Sequence, residues 1–598
     1  MTPSLPGEAQ RTMRTPSRSR KRRKQEQARG QLWDRRLATA VAVLTVAMLA
    51  PALRSLDPTG PTGWSWQVLM LCALVAALAW RALVGPALSA VEGQPEPGER
   101  TEGRPVLRSS LLVWVLLLGA ATAPNLQSLR VGFLADDYGL VGSAKSGAGP
   151  LDAMRLVPLQ VFHRPVSALL WWLGGHLWGW SPLGFHLLSV LLHAGNTALL
   201  YLLARRYIGS IYGGAMAALL FAVHPYHVEA TTWVAAQPDL LCLLFCLLSL
   251  WGLEGYIEGP TLLRRGLALA GAVAAYGLAL YSKETAMAFP GVVFLRLVLV
   301  PNRRLLRAAG VTAGFGLVLA IYLTVRWLVL GKDWLASYRP ALDFWNTVFP
   351  SMPLRIMAGF FFPVHQGLFD SLAQPSLAAA LIIAMAVGLL WWIRSLEFVP
   401  WQRIALCLGY LLVLCVPAWM LSYTVGVSMA NSRYAYLPAV GLCLLFGEVQ
   451  ARRRDGWRQR ALVGGVTIVV AAALSLWYFV PWRQAAQLRD DVLAAGVRVV
   501  EGLPESPPPT ALLVRGIPWF RQGVPVCVNA YSIALSPLLA RPIAIQEIPQ
   551  VSSSLDAISA SDLRPGEYLL SWDQGTRSMV IERAGAYAAS SAPPEARP

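Results

Sequence analysis

Residues 266–282 read GLALAGAVAAYGLALYS, an uncharged run held between Arg264-Arg265 and Lys283-Glu284. An α-helix needs about 20 mostly apolar residues to cross about 30 Å of hydrocarbon. With its flanks this run reaches that length. A surface helix of a soluble protein keeps one polar face, whereas here apolar residues occupy every side.

Working outward, segments of the same kind recur at 37–55, 64–86, 109–126, 182–204, 210–226, 239–256, 285–300, 309–330, 376–394, 403–421, 434–450 and 461–480. The 598-residue chain has a mean hydropathy of +0.48. Its charged residues make up 14%, against about 25% in ordinary soluble proteins. The expectation is an all-α polytopic membrane protein with about thirteen transmembrane helices. Two further apolar stretches, 164–178 and 353–368, carry His, Arg and aromatic residues and read as helices lying in the outer interface, where Trp is favoured. If one of them crossed, every later loop would change side.

The net charge of +18 raises the question of a nucleic-acid partner. Its placement argues otherwise. Residues 1–36 hold eleven Lys or Arg and three acids, and no aromatic residues interleave Arg18-Ser-Arg-Lys-Arg-Arg-Lys24 for base stacking. That tail reads as a disordered cytoplasmic segment touching anionic lipid. With it inside, Arg205-Arg206, Arg264-Arg265, Arg303-Arg304 and Arg452-Arg-Arg454 all fall in cytoplasmic loops, as the positive-inside rule requires. The first apolar segment lacks a small-residue cleavage site and reads as a retained span. Seven cysteines offer no disulfide framework, and Cys242 and Cys246 share a helix face as small apolar residues.

Four regions follow: the tail 1–36, two N-terminal spans and a loop over 37–108, a transmembrane region over 109–480, and an outer soluble domain over 481–598. The last contains Pro507-Pro-Pro509 and short β-type runs such as Ala511–Val514 and Val524–Val528, which predict a small α/β or mostly β domain.

Charged groups at a membrane are costly and mark function. They lie at Asp136-Asp137, at His163-Arg164, in His224-Pro-Tyr-His227-Val-Glu229 with Gln237-Pro-Asp239, at Ser282-Lys283-Glu284, at Arg326, and in Ser432-Arg433-Tyr434-Ala-Tyr436. Span parity maps all of them to outer helix ends or outer loops, which predicts one polar site facing the outer compartment. Each group also has a plainer reading. Paired aspartates form solvated turns, His-Pro ends helices, Lys-Glu neighbours snorkel and pair, and an Arg beside tyrosines anchors at the interface.

In order, FLADDYGLV, FHRPVSALLWW, FHLLSVLLH, HPYHVEATTWVAAQPDLL, YSKETAMAFP and NSRYAYLPAVG resemble the multispanning GT-C glycosyltransferases. The likeness is to the protein O-mannosyltransferase branch, the transmembrane-and-tetratricopeptide proteins and their bacterial relatives, over roughly residues 109–480. The tetratricopeptide repeats are absent, and two additional spans precede the matching part. The resemblance implies a polyprenyl-phosphate-linked sugar as donor, an outer-face acceptor that is a protein, lipid or polysaccharide, and the acidic pair at the reaction centre.

The chemistry fits those residues. An acceptor hydroxyl needs a base, and Asp136 is the candidate, with Asp137 orienting it or the acceptor. The leaving phosphate needs cations, for which Arg433, Lys283 and Arg164 are the candidates. His163, His224, His227, Glu229, Asp239, Glu284 and Tyr436 are candidates for holding substrate. His224, His227 and Glu229 also form a plausible ligand set for a divalent metal such as Mg or Mn, although they can equally bond to one another. His186 and His193 read as inward-packed polar groups. The expected setting is a bacterial inner membrane, with the N-terminus cytoplasmic and the C-terminus periplasmic. A flippase for a lipid-linked glycan and a non-catalytic envelope scaffold are the competing functions.

Overall fold

The computed structural model describes residues 104–146, 149–155, 162–299, 305–331, 400–420, 432–453, 456–503, 511–518, 520–521, 524–527, 531–535, 538–539, 543–547 and 567–583. All of them lie in one compact unit of the chain, Leu69–Gln366 with Glu397–Pro598. The segments expected to span at 37–55, 64–86 and 376–394, the basic tail and the stretch 353–368 lie outside the described residues.

Helices dominate. In chain order they are α1 (Arg104–Thr122), α2 (Asp136–Ser146), α3 (Pro150–Arg155), α4 (Pro165–Trp178), α5 (Pro182–Ile208), α6 (Ile211–Val223), α7 (Val228–Thr232), α8 (Gln237–Glu258), α9 (Leu262–Ser282), α10 (Phe289–Val298), α11 (Leu305–Leu330), α12 (Trp401–Met420), α13 (Ala439–Ala451) and α14 (Trp457–Glu501). Among the described residues, six helices are long and apolar enough to cross a membrane, and three shorter apolar ones accompany them. The chain is an integral membrane protein. A single span over 285–300 does not form: a 3₁₀ turn over Glu284–Ala288 leads into the ten-residue α10.

Local chemistry sets several boundaries. Pro182 opens α5 without losing a needed N–H, and Gly209, at φ 74°, closes it. The Ser210 hydroxyl then caps α6 by accepting from Gly213 N. Gly213 and Gly447 let α6 and α13 touch backbone to backbone, since a Cβ on Gly213 would lie 2.8 Å from the Gly447 carbonyl oxygen. The bundle core formed this way runs from Val113 and Leu117 through Phe221, Leu243, Tyr276 and Phe315 to Leu444. Exposed Leu and Trp side chains such as Leu187, Trp251 and Trp327 cover its outside, as lipid contact requires.

The interfacial reading of 164–178 finds its counterpart in α4. Ser167 donates to the Ser282 carbonyl at the end of α9, and Trp171 donates to Gln237 at the start of α8. Trp178 packs edge-on against Phe185 at the start of α5. Both ends of α4 therefore meet the same end of the bundle.

The last helix does not stop where the hydropathy falls. α14 runs 45 residues, through Pro481, to Glu501. Its later part joins the C-terminal domain, so the boundary expected at 481 lies within a helix. That domain carries a sheet of order β4-β1-β5-β6 beside a two-stranded antiparallel pair β2-β3, where β1 is Ala511–Arg515, β2 Phe520–Arg521, β3 Val524–Pro525, β4 Ala544–Glu547, β5 Glu567–Asp573 and β6 Ser578–Arg583. β1 pairs in parallel with both β4 and β5, with Leu512 opposite Ile545 and Tyr568, and β6 returns antiparallel to β5. Ala485, Val492 and Leu493 of α14 share one apolar cluster with Leu512, Val514 and Leu570. The domain is α/β.

Candidate active site

The predicted site residues gather where α4, α8 and α13 begin and where α6 and α9 end. Three ion pairs build it. Arg164, before α4, donates through Nε to Glu284 Oε2 at 2.8 Å and through a second nitrogen to Oε1. The Lys283 ammonium reaches Asp239 Oδ2 at 2.6 Å. Arg433 donates its backbone N–H to Glu229 Oε2 at 2.9 Å and its guanidinium to Oε1, and Ser432 adds a hydroxyl donor at 3.0 Å. Tyr434 stands between them, its ring 4.8 Å from both the Lys283 ammonium and the Arg433 guanidinium. The indole of Trp233 covers Arg433 at 4.7 Å. Buried charges survive only when paired and hydrogen-bonded, and these are both.

The three pairs form one electrostatic unit. Burial lowers the Lys283 pKa and Asp239 opposes it, while Arg164 and Arg433 push it down further. Burial works to raise Glu284, yet Arg164, Lys283 and Arg326 together bring it down to about 2. Arg326 enters from the C-terminal part of α11 and is 1% exposed. His163 faces the Tyr281 ring, and burial and the Arg326 charge both lower its pKa.

The two aspartates separate into different roles. Asp137 is fully buried, and its Oδ2 accepts from Leu134 N at 2.9 Å while Oδ1 accepts from Ala235 N at 2.7 Å. It ties its own turn to the loop after α7. Asp136 is only partly covered. Burial raises its pKa and the charge of Arg433 opposes that rise, so Asp136 lies within electrostatic reach of the ion-pair cluster. Of the pair, Asp136 is the carboxylate positioned to exchange a proton.

Other predicted residues sit elsewhere. The Tyr436 hydroxyl lies inside the bundle, 2.9 Å from His193 Nδ1 and accepting from Asn196 at 3.2 Å. It is a core contact and not part of the charged cluster. His193 and His186 are buried and bonded to backbone carbonyls, as inward packing predicts. His224, His227 and Glu229 do not form a ligand set. His227 Nδ1 bonds to the Phe221 carbonyl, His224 Nδ1 accepts from Tyr226 N, and both Glu229 oxygens are taken by Arg433 and Ser432. Among the described residues no three His, Cys, Asp or Glu side chains come together to hold a metal.

Two contributors escaped the sequence reading. Trp233 lies inside a quoted motif, but only the fold puts its ring on Arg433. Arg489 lies in the region assigned to the soluble domain and nevertheless touches the aspartate turn. Nothing in its local sequence signals this.

Helices and site together define a polytopic membrane protein with a charged, largely buried site at one end of its bundle. The family model for dolichyl-phosphate-mannose-protein mannosyltransferase matches residues 162–328, which hold Arg164, Glu229, Asp239, Lys283 and Glu284. Protein O-mannosyl-transferase TMTC4 of Homo sapiens is 25% identical over 373 residues, covering 51% of this chain and 50% of that protein. Protein O-mannosyl-transferase TMTC2 of Mus musculus is 39% identical over 88 residues, covering 15% and 10%. The chain thus spans about half the length of the first of these relatives. Among solved structures, the crystal structure of ArnT from Cupriavidus metallidurans in the apo state aligns at 13% identity, covering 78% of this chain and 91% of that one, with a TM-score of 0.42. The resemblance to the protein O-mannosyltransferases, read from the sequence motifs, holds.

Proposed function

We propose that this protein is a GT-C-type membrane glycosyltransferase that moves a sugar, a hexose such as mannose, from a polyprenyl phosphate to an acceptor on the outer face of the membrane. The observation that carries this is that Trp233 joins the aspartate turn to the cation cluster: its Nε1 donates to the Leu134 carbonyl at 3.2 Å and its ring lies 4.7 Å from the Arg433 guanidinium, so that the partly covered Asp136 feels the charge of Arg433. The matched family's description names a dolichyl-phosphate-mannose donor, which supports that donor class here.

The acceptor hydroxyl attacks the anomeric carbon, and its proton passes to Asp136. The bond from that carbon to the phosphate oxygen breaks, and the electron pair leaves with the phosphate. Arg433, Arg164 and Lys283 meet the growing negative charge, in the way preorganised cations stabilise a transition state. Their carboxylate partners fix their positions beforehand, so little reorganisation accompanies reaction. One displacement at carbon, with no second carboxylate acting as nucleophile, gives inversion. The acceptor is a protein, lipid or polysaccharide. In a bacterial inner membrane the site faces the periplasm, with the basic N-terminus cytoplasmic.

The test is Asp136→Asn in the full chain, with transfer from polyprenyl-phosphate mannose followed by mass spectrometry of the product. Loss of a general base costs about 10²–10⁴-fold. The variant keeps its fold and its donor affinity. Transfer at the wild-type rate would refute the assignment, and a product of retained configuration would refute inversion.

A further inference from the structure

The loop that carries the acidic pair is held largely from outside the membrane bundle. Its backbone can be followed group by group. Arg489, on the later part of α14, donates from Nη1 to the Val131 carbonyl at 2.8 Å and to the Phe133 carbonyl at 2.5 Å. Gly132, between them, has φ +71°, and a Cβ there would lie 2.8 Å from Arg489 Nη1, so glycine leaves the room the guanidinium occupies. The Gly132 carbonyl bonds to His186 Nε2 at 3.1 Å. The Leu134 carbonyl accepts from Trp233 Nε1 at 3.2 Å. The Ala135 N–H donates to the Val526 carbonyl of the C-terminal domain at 3.0 Å.

Ala135 itself has φ +45°. A non-glycine residue there is uncommon and costs energy, and it persists only where its surroundings over-determine it. Here the next residue is Asp136. Arg489 is held in turn by Asp490, whose Oδ1 accepts from Nε and Nη2 at 2.9 and 2.7 Å. The apolar contact continues the same grip, for Val131, Leu134 and Ala135 share one buried cluster with Tyr478, Phe479, Val526 and Tyr531.

We infer that Arg489, together with the Val526 carbonyl, is a positioning device: the outer domain clamps the Val131–Ala135 turn and thereby sets where the Asp136 carboxylate stands. This rests on the transferase reading above. It gives the C-terminal domain a catalytic task apart from any choice of acceptor. The single Arg side chain bridging two carbonyls is the element to remove, because it is the side chain by which the C-terminal part of the chain holds this backbone, whereas His186 and Trp233 reach it from the bundle.

The experiment uses full-length protein and compares wild type, Arg489→Ala, Arg489→Lys and Asp136→Asn in mannose transfer from polyprenyl-phosphate mannose. For Arg489→Ala, kcat falls about 10–100-fold, within the range a small misplacement of a reacting group costs, while the donor KM stays within about twofold. The acid limb of its pH profile moves to lower pH, because a released Asp136 is better solvated. Added guanidinium ion restores part of kcat. Lysine reaches one carbonyl where arginine reaches two, so Arg489→Lys gives an intermediate kcat, and it serves alone if the alanine variant does not accumulate. A wild-type kcat in either Arg489 variant overturns the inference. So does a fall in kcat with an unmoved pH profile and no response to guanidinium, which marks a purely structural arginine. If Asp136→Asn transfers sugar normally, the transferase reading of the aspartate fails first, and the two failures are thereby told apart.

Discussion

Replacing Glu229 by glutamine tests how the cation cluster is held. Glu229 accepts three donors: Ser432 Oγ and Arg433 N on Oε2, and the Arg433 guanidinium on Oε1. A glutamine can turn its one oxygen toward the first two and so preserve them. Its NH₂ then faces the guanidinium, donor against donor. The charge-assisted bond is lost, which is worth about 1.5–3 kcal/mol. Breaking a fully buried pair costs about 3–5 kcal/mol. The Arg433 side chain keeps 16% of its surface, however, while Glu229 keeps 5%, so water relieves part of the loss. The lower range applies, about 2–3 kcal/mol, which corresponds to roughly a 30–150-fold shift from anchored to released Arg433. The assay is the donor KM for transfer in detergent or nanodiscs, read beside the melting temperature. The expectation is a donor KM raised about 30-fold or more with the melting temperature lowered. Ser432→Ala, which spares the ion pair, has a clearly smaller effect on both. A Glu229→Gln enzyme whose donor KM and melting point match wild type would show that Arg433 needs no anchor, and the reasoning would fail with it.

Asp136 must be deprotonated to act, so activity falls as pH drops through its pKa. Burial holds that pKa above the usual carboxylate range and Arg433 opposes the rise. Arg433→Gln removes the opposition, so the acid limb of the pH–rate profile moves to higher pH, together with a higher donor KM. An unmoved limb would separate Arg433 from Asp136. Tyr436→Phe leaves His193 Nδ1 and the Asn196 amide without the hydroxyl they share, at about 1–3 kcal/mol for buried groups stripped of a partner. Melting in detergent falls, while the donor KM stays within about twofold. A large change in donor KM would return Tyr436 to the substrate site.

Six of the expected spans were legible because hydrocarbon tolerates few charges, so a run such as 266–282 announces its helix without any knowledge of neighbours. Parity along the crossings assigns one side to the charged motifs, and the fold brings those motifs together at one end of the bundle. Pairing was not legible. Arg164 and Glu284 stand 120 positions apart, and Arg433 and Glu229 stand 204 apart. Adjacent residues on one motif take different partners, for Lys283 binds Asp239 while Glu284 binds Arg164. Asp136 and Asp137 are chemically identical in sequence and become distinct only when the Leu134 and Ala235 N–H groups converge on one of them. The end of α14 was misplaced because hydropathy reports where lipid contact stops, and helical hydrogen bonding continues past that point. The count of about thirteen crossings rests partly on 37–55, 64–86 and 376–394, outside the described residues.

The opposite end of the bundle shows why buried ion pairs alone do not mark a site. There Arg296 and Arg206 meet the buried Glu254, and Arg403 and Arg452 meet the buried Glu448. In these pairs too the arginine keeps some surface and the carboxylate keeps almost none. That asymmetry is therefore the ordinary geometry of a long cation snorkelling from a membrane helix toward water, and it belongs to both faces. The outer end differs in its backbone. Two of its charges, Glu284 and Arg433, sit on 3₁₀ turns at Glu284–Ala288 and Ser432–Ala435, and a third such turn, Pro225–His227, lies beside them. Membrane proteins tolerate irregular backbone only where it is buried in protein or lines a polar cavity. That end also has Asp136, a partly covered carboxylate that follows a turn whose carbonyls accept from Arg489 and whose Ala135 N–H donates to Val526. A charge network stitches helices at either face. A charge network beside a partly covered carboxylate is, on the proposed reading, an arrangement that serves proton transfer and phosphate departure together.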